Sequence, residues 1–128
     1  MNRDPDGERP GPLSHLELGR SGERAAVDFL RAKRFAIVET GWRFGRGEID
    51  IIARDGPVLV FVEVKARRGR DHGYPEEAVT AAKQRQLRKI AQAYLVRRRI
   101  GNVTCRFDVV AVESGAGGPV LRHIPNAF

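Results

Sequence analysis

This chain is poor in several things that would each have named a function class. It has one cysteine, Cys105. That excludes an internal disulfide framework and any cysteine-based zinc cluster, and it fits a reducing cytoplasm, with Cys105 expected to be a small buried residue. Aromatic residues make up 7% of the chain and there is one tryptophan, Trp42. Three histidines, His15, His72 and His123, are far apart and lack ligand spacing, so surface and loop positions are expected for them. No apolar run approaches the roughly 20 residues that a membrane span needs. The start, Met1 to Pro12, has neither the apolar stretch of a signal peptide nor a cleavage pattern.

What is present is charge. The 128 residues carry a net charge of +7, unevenly spread: residues 65–106 hold twelve Lys and Arg against three acids. The block begins at Lys65 and continues through Arg67, Arg68 and Arg70. It could be a solvated helix face. Its position beside an acidic cluster points instead to a polyanionic partner, of which nucleic acid is the commonest.

The length suits one domain. Residues 1–14 read as a flexible tail and 15–128 as a single domain. Leu18, Ala25, Ala26, Phe29 and Leu30 recur at helical spacing, giving a helix over about His15–Lys33, with Glu23 at the border of its apolar stripe. Phe35–Glu39 reads as a strand, running on through Trp42 to a turn near Gly47. Two further strands follow, about Glu48–Arg54 and Val58–Arg67. Arg68–Tyr74 reads as an exposed loop. Pro75 opens a second helix over about Glu76–Arg99. A strand over Val103–Val112 and an edge strand over Val120–Ile124 complete the chain. The first three strands should form an antiparallel meander, and a helix crossover lets the next join in parallel.

Asp50 and Glu63 stand on the two strands either side of Asp55-Gly56, a strong hairpin signal. With those two residues as the loop, Asp50 faces Phe61 and Glu48 faces Glu63. Glu48, Asp50, Phe61, Glu63 and Lys65 then share one face, and Ile49, Ile51, Val60, Val62 and Val64 share the other. Asp50 and Glu63 become diagonal neighbours, roughly 7 Å apart at the backbone. Two carboxylates so close repel unless a cation lies between them, and a divalent metal suits. Glu63 and Lys65 could alternatively be a salt-bridged pair on a solvated sheet.

These motifs resemble a known family. Gly22-Glu23, Trp42-Arg43, Gly47-Glu48-Ile49-Asp50, Val60-Phe61-Val62-Glu63-Val64-Lys65 and Asn126-Ala127-Phe128 are similar to the YraN-like, or UPF0102, family of the restriction-endonuclease-like (PD-(D/E)xK) superfamily. The resemblance implies an α/β fold with an αβββαβ core, a mixed sheet flanked by helices. It implies metal-dependent hydrolysis of phosphodiester bonds, in DNA more than RNA, including branched or structured DNA. Mg²⁺ or Mn²⁺ would be held by Asp50, Glu63 and the backbone carbonyl of Val64. Lys65 would orient the attacking water or stabilise charge, and Glu23 would complete the site. Arg67, Arg68, Arg70 and Lys83 are the expected nucleic-acid contacts. The nearest architectural analogues, archaeal Holliday-junction resolvases, are dimers, which implies a homodimer. Ile49 stands where the superfamily name has proline. The alternatives are a nucleic-acid-binding module of nuclease fold that cuts little or not at all, and an adaptor in a repair or RNA-processing complex.

Overall fold

A computed structural model of the chain describes residues 15–68 and 79–128, with side chains from Leu18 onward. The tail expected over 1–14, most of the Arg68–Tyr74 loop, Arg70 and the Pro75 helix start lie outside the described residues. The elements are α1 (His15–Ala32), β1 (Ala36–Phe44), β2 (Gly47–Asp55), β3 (Val58–Arg68), α2 (Ala81–Arg97), β4 (Cys105–Ser114) and β5 (Val120–Ile124). The strands form one sheet in the order β1-β2-β3-β4-β5. β3 and β4 pair in parallel and every other neighbour is antiparallel. This is the expected mixed sheet, with the parallel step spanned by α2.

A helix covers each face. Ala26 and Leu30 of α1 pack on Ile51, Ala53, Val60, Val62, Val110 and Val112. Leu87, Ile90, Ala91 and Tyr94 of α2 pack on Ile49, Ile52, Leu59, Phe61 and Val109. Central strands buried on both sides read as continuous apolar runs, as Val58–Val62 and Val109–Val112 do. Gly22 lets α1 lie against β3: a Cβ there would come within 2.8 Å of the Ala66 Cβ. That close approach carries Glu23 to Glu48 and Asp50 of β2.

Three expectations need correction. The β2–β3 turn is Gly56-Pro57, because Asp55 pairs with Val58 and Ile52 with Phe61. Gly56 has φ of 60°, which a type II′ turn requires at its first central position, and proline can follow only there. The register moves by two, so side chains keep their faces while Asp50 comes opposite Glu63 instead of diagonal to it. Second, Ile49 lies on the α2 side and Ile51 on the α1 side, so alternation along β2 breaks at Asp50. In β1 the same break falls at Gly41, with φ of 63°. Thr40 lines the α1 side, whereas Trp42, two positions on, packs with Phe44 toward α2. Third, α2 starts at Ala81. Thr80 is extended and its hydroxyl accepts the Lys83 N–H, an N-cap that precludes helix through Val79 and Thr80.

His123 and Cys105 also differ from expectation. Cys105 is half-buried. The His123 side chain is 4% exposed and lies 2.7 Å from the Asp108 carboxylate.

Candidate metal centre

Past Ile51↔Val62 the β2–β3 ladder gives way to side chains. The Val64 N–H donates to Asp50 Oδ2 at 2.8 Å. The carboxylate thus takes the place of a backbone acceptor, which fixes its orientation and satisfies a buried donor. Asp50 and Glu63 are close enough to share a hydrogen bond.

Glu23 from α1 and Glu48 from β2 converge on the same point. One carboxylate oxygen from each of Glu23, Glu48 and Asp50 lies within 4.8 Å of the others. On the opposite side of Asp50, Glu63 Oε2 stands 3.8 Å from the ammonium of Lys65 and 3.8 Å from that of Lys83. Arg43 reaches Glu48 at 3.3 Å, but its side chain is 80% exposed, so solvent screens that pair. The break in β2 alternation makes this possible. It sets Asp50 between an α1-side group (Glu23, Glu48) and an α2-side group (Glu63, Lys65, Lys83).

The charge is under-compensated. Burial, and then repulsion from Asp50 and Glu48, pushes Glu23 up to about 7. Burial and then Asp50 push Glu63 to about 7, against the pull of Lys83 and Lys65. Asp50 is raised as well, chiefly by burial, even though the Val64 N–H favours its charged form. Glu23, Glu48 and Asp50, with Glu63 beyond Asp50 and facing Lys65 and Lys83, form a set of hard oxygen donors whose negative charge is only partly offset. A divalent cation such as Mg²⁺ or Mn²⁺ fits such a set.

Glu23, Asp50, Glu63 and Lys65 are therefore brought together. Glu48 joins Glu23 and Asp50 and pairs with Arg43. Lys83, expected as a nucleic-acid contact, stands against Glu63 near the start of α2, just after the Thr80 cap. Arg67 and Arg68 continue β3 past Lys65, half-buried and exposed respectively. A second constellation was missed altogether. Asp108 is fully buried and accepts from Arg106 at 2.8 and 2.9 Å, His123 at 2.7 Å and the Asn126 N–H at 2.9 Å. Its sequence signal was the Arg-x-Asp spacing inside an apolar strand.

A sheet with helices on both faces and a carboxylate–lysine cluster at the point where two strands part defines an α/β domain with a candidate metal centre. Comparison with known proteins places it. The family described as "Uncharacterised protein family UPF0102" matches residues 22–112. A UPF0102 protein of Symbiobacterium thermophilum is 55% identical over 112 residues, covering 87% of this chain and 95% of that relative. One from Syntrophotalea carbinolica is 49% identical over 113 residues, covering 88% and 92%. One from Dictyoglomus turgidum is 40% identical over 118 residues, covering 91% and 100%. The chain belongs to the UPF0102 family. No helix among the described residues is long and apolar enough to cross a membrane.

Proposed function

We propose that this chain is a divalent-metal-dependent nuclease of the restriction-endonuclease-like type, hydrolysing phosphodiester bonds in DNA, branched or structured DNA included, in the cytoplasm. One observation carries the reading: carboxylates from α1, β2 and β3 converge, with raised proton affinity, beside two lysines. A solvated salt-bridge patch would have exposed, ordinarily ionised partners. Here Glu63 is 7% exposed and one of its oxygens faces two ammonium groups.

Asp50 and Glu63 would hold Mg²⁺ or Mn²⁺, with Glu23 and Glu48 within reach and Val64 fixing Asp50 through its N–H. A bound divalent ion supplies acidified water and a sink for phosphate charge. Lys65 and Lys83 keep positive charge at the mouth of the site, where negative charge grows as a phosphodiester is attacked. Arg67 and Arg68 lie on the path a polyanion would take toward Lys65. Two copies, each cutting one strand, would suit a four-way junction.

The test is the purified chain with Mn²⁺ against linear, nicked and four-way DNA and structured RNA, with Asp50→Asn as the control for contaminating nuclease. Metal-dependent products lost in Asp50→Asn and in Lys65→Ala support the reading. Products that persist in Asp50→Asn, or intact binding with no metal-dependent product, would contradict it. The latter result would leave a binding module.

A further inference from the structure

We propose that the groove between α1 and β1 holds the sugar–phosphate backbone of the nucleic-acid strand flanking the metal centre, with Arg20, Arg24 and Arg31 as its phosphate contacts. This deepens the functional reading and rests on it only for the claim that the strand is cut. The groove has a volume of about 520 Å³, with Val27, Ile37 and Thr40 in its lining, and it contains Glu23. Glu23 also belongs to the acidic trio, so the groove runs directly into the candidate site.

The three arginines line one wall of it. All three are exposed, and none makes an ion pair or side-chain hydrogen bond among the described residues. Arg43, Arg98, Arg106 and Arg122, by contrast, each reach a carboxylate; what sets Arg20, Arg24 and Arg31 apart from the other arginines without an ion pair is that they share one groove with Glu23. Arg20 and Arg31 are eleven positions apart, about 16 Å along a helix. That is the span of about five phosphates at the per-strand rise of duplex DNA. The groove's acids are Glu23 and Asp28. A cation at the centre offsets Glu23, which leaves three positive groups against one negative. Among the described residues the groove's lining includes no aromatic ring on which bases could stack. Such a surface follows the backbone and carries no sequence preference. It also lies outside the basic block of residues 65–106, on a stretch of sequence whose overall charge gave no hint of it.

The test compares the full chain with two triple variants: Arg20→Ala/Arg24→Ala/Arg31→Ala in the groove, and Arg34→Ala/Arg46→Ala/Arg54→Ala, outside both the groove and the basic block, as a charge-matched control. Binding of labelled single-stranded and duplex oligonucleotides is followed across a salt titration in chelator, so that nothing is cut. Each variant's melting temperature checks folding, and its Mn²⁺ affinity is measured separately. The groove variant should bind about tenfold more weakly than the control variant. Its log–log salt slope should be smaller by about 2 on single strands, from three lost contacts at about 0.7 each. Its Mn²⁺ affinity should be unchanged. A groove variant that binds like the control, or a parent chain that binds no oligonucleotide, would overturn the proposal. Loss of binding in the groove variant with no metal-dependent cutting by the parent would uphold the groove and end the nuclease reading. Metal-dependent cutting by the parent with unchanged binding in the groove variant would do the reverse.

Discussion

Two buried acidic centres sit on the same sheet and have opposite electrostatics. At Asp108, burial alone would raise the carboxyl, but His123, Arg106 and the Asn126 N–H reverse this and hold it at about 2. Lys33 Nζ lies 2.7 Å from His123 Nδ1. An ammonium can only donate, so Nδ1 accepts and Nε2 carries the proton that is donated to Asp108. Every lone pair is spoken for, and the knot ties β4, β5, the Asn126 turn and Lys33, just past the end of α1, together. At Asp50 and Glu63 burial outweighs the Val64 N–H and the two lysines, and the carboxyls are pushed up. A satisfied buried acid holds a fold together. An unsatisfied group of them is destabilising until a ligand arrives, which is how sites traded against stability behave.

That contrast can be broken by substitution. The largest effect should come from Asp108→Ala, which leaves Arg106 half-buried beside an emptied space and should destabilise the chain by about 3–5 kcal/mol in a denaturant titration. Mn²⁺ affinity should not change in whatever fraction stays folded. Next, Mn²⁺ at a hundredfold excess over its Kd should stabilise the parent by about 2.7 kcal/mol, read as a rise in Tm.

Asp50→Asn should have the opposite sign to Asp108→Ala. The amide keeps an acceptor for the Val64 N–H and donates to Glu63, so the metal-free protein should gain about 1 kcal/mol at neutral pH and lose its response to Mn²⁺. Tyr94→Phe, which removes the 2.8 Å hydrogen bond to Glu39, should cost less than about 1 kcal/mol and leave both centres alone.

The two centres also respond oppositely to pH. Glu23 and Glu63 have folded pKa values near 7 against an ordinary 4.5. Their protonated forms are favoured by folding, so their contribution to stability is full below about 4.5 and is lost as pH rises toward 7. Asp108 contributes fully above its ordinary 3.8 and loses that contribution as pH falls toward 2. Metal-free protein should therefore weaken between pH 4.5 and 7, and Asp50→Asn/Glu63→Gln should flatten that slope. A parent slope left unchanged by the double variant would show that the acids are not coupled as described.

Much of this was legible in the sequence because it follows from local pattern. The apolar run Val58–Val62 and the spacing of Leu87, Ile90 and Tyr94 define elements and their buried sides. Asp50, Glu63 and Lys65 were visible as charge intruding on an apolar hairpin. What was not legible depended on single backbone torsions or on distant partners. Gly41 and the break at Asp50 reverse the facing of Trp42 and Ile49, and no period of two reveals that. The turn slipped by one residue at each end because Gly56-Pro57 suits type II′ as well as Asp55-Gly56 suits type I′. Thr80 was a readable cap, overshadowed by Pro75 and the two glutamates after it. The meeting of Arg106, Asp108 and His123 needs β4 and β5 to pair, so sequence spacing alone left His123 on the surface.

The most direct test is calorimetric titration of Mn²⁺ into the chain near pH 6.5, in two buffers of different ionisation enthalpy. The account predicts saturable binding that releases protons, because Glu23 and Glu63 must ionise to serve, with binding lost in Asp50→Asn and kept in Tyr94→Phe. Binding that is absent, that releases no protons or that survives in Asp50→Asn would contradict it.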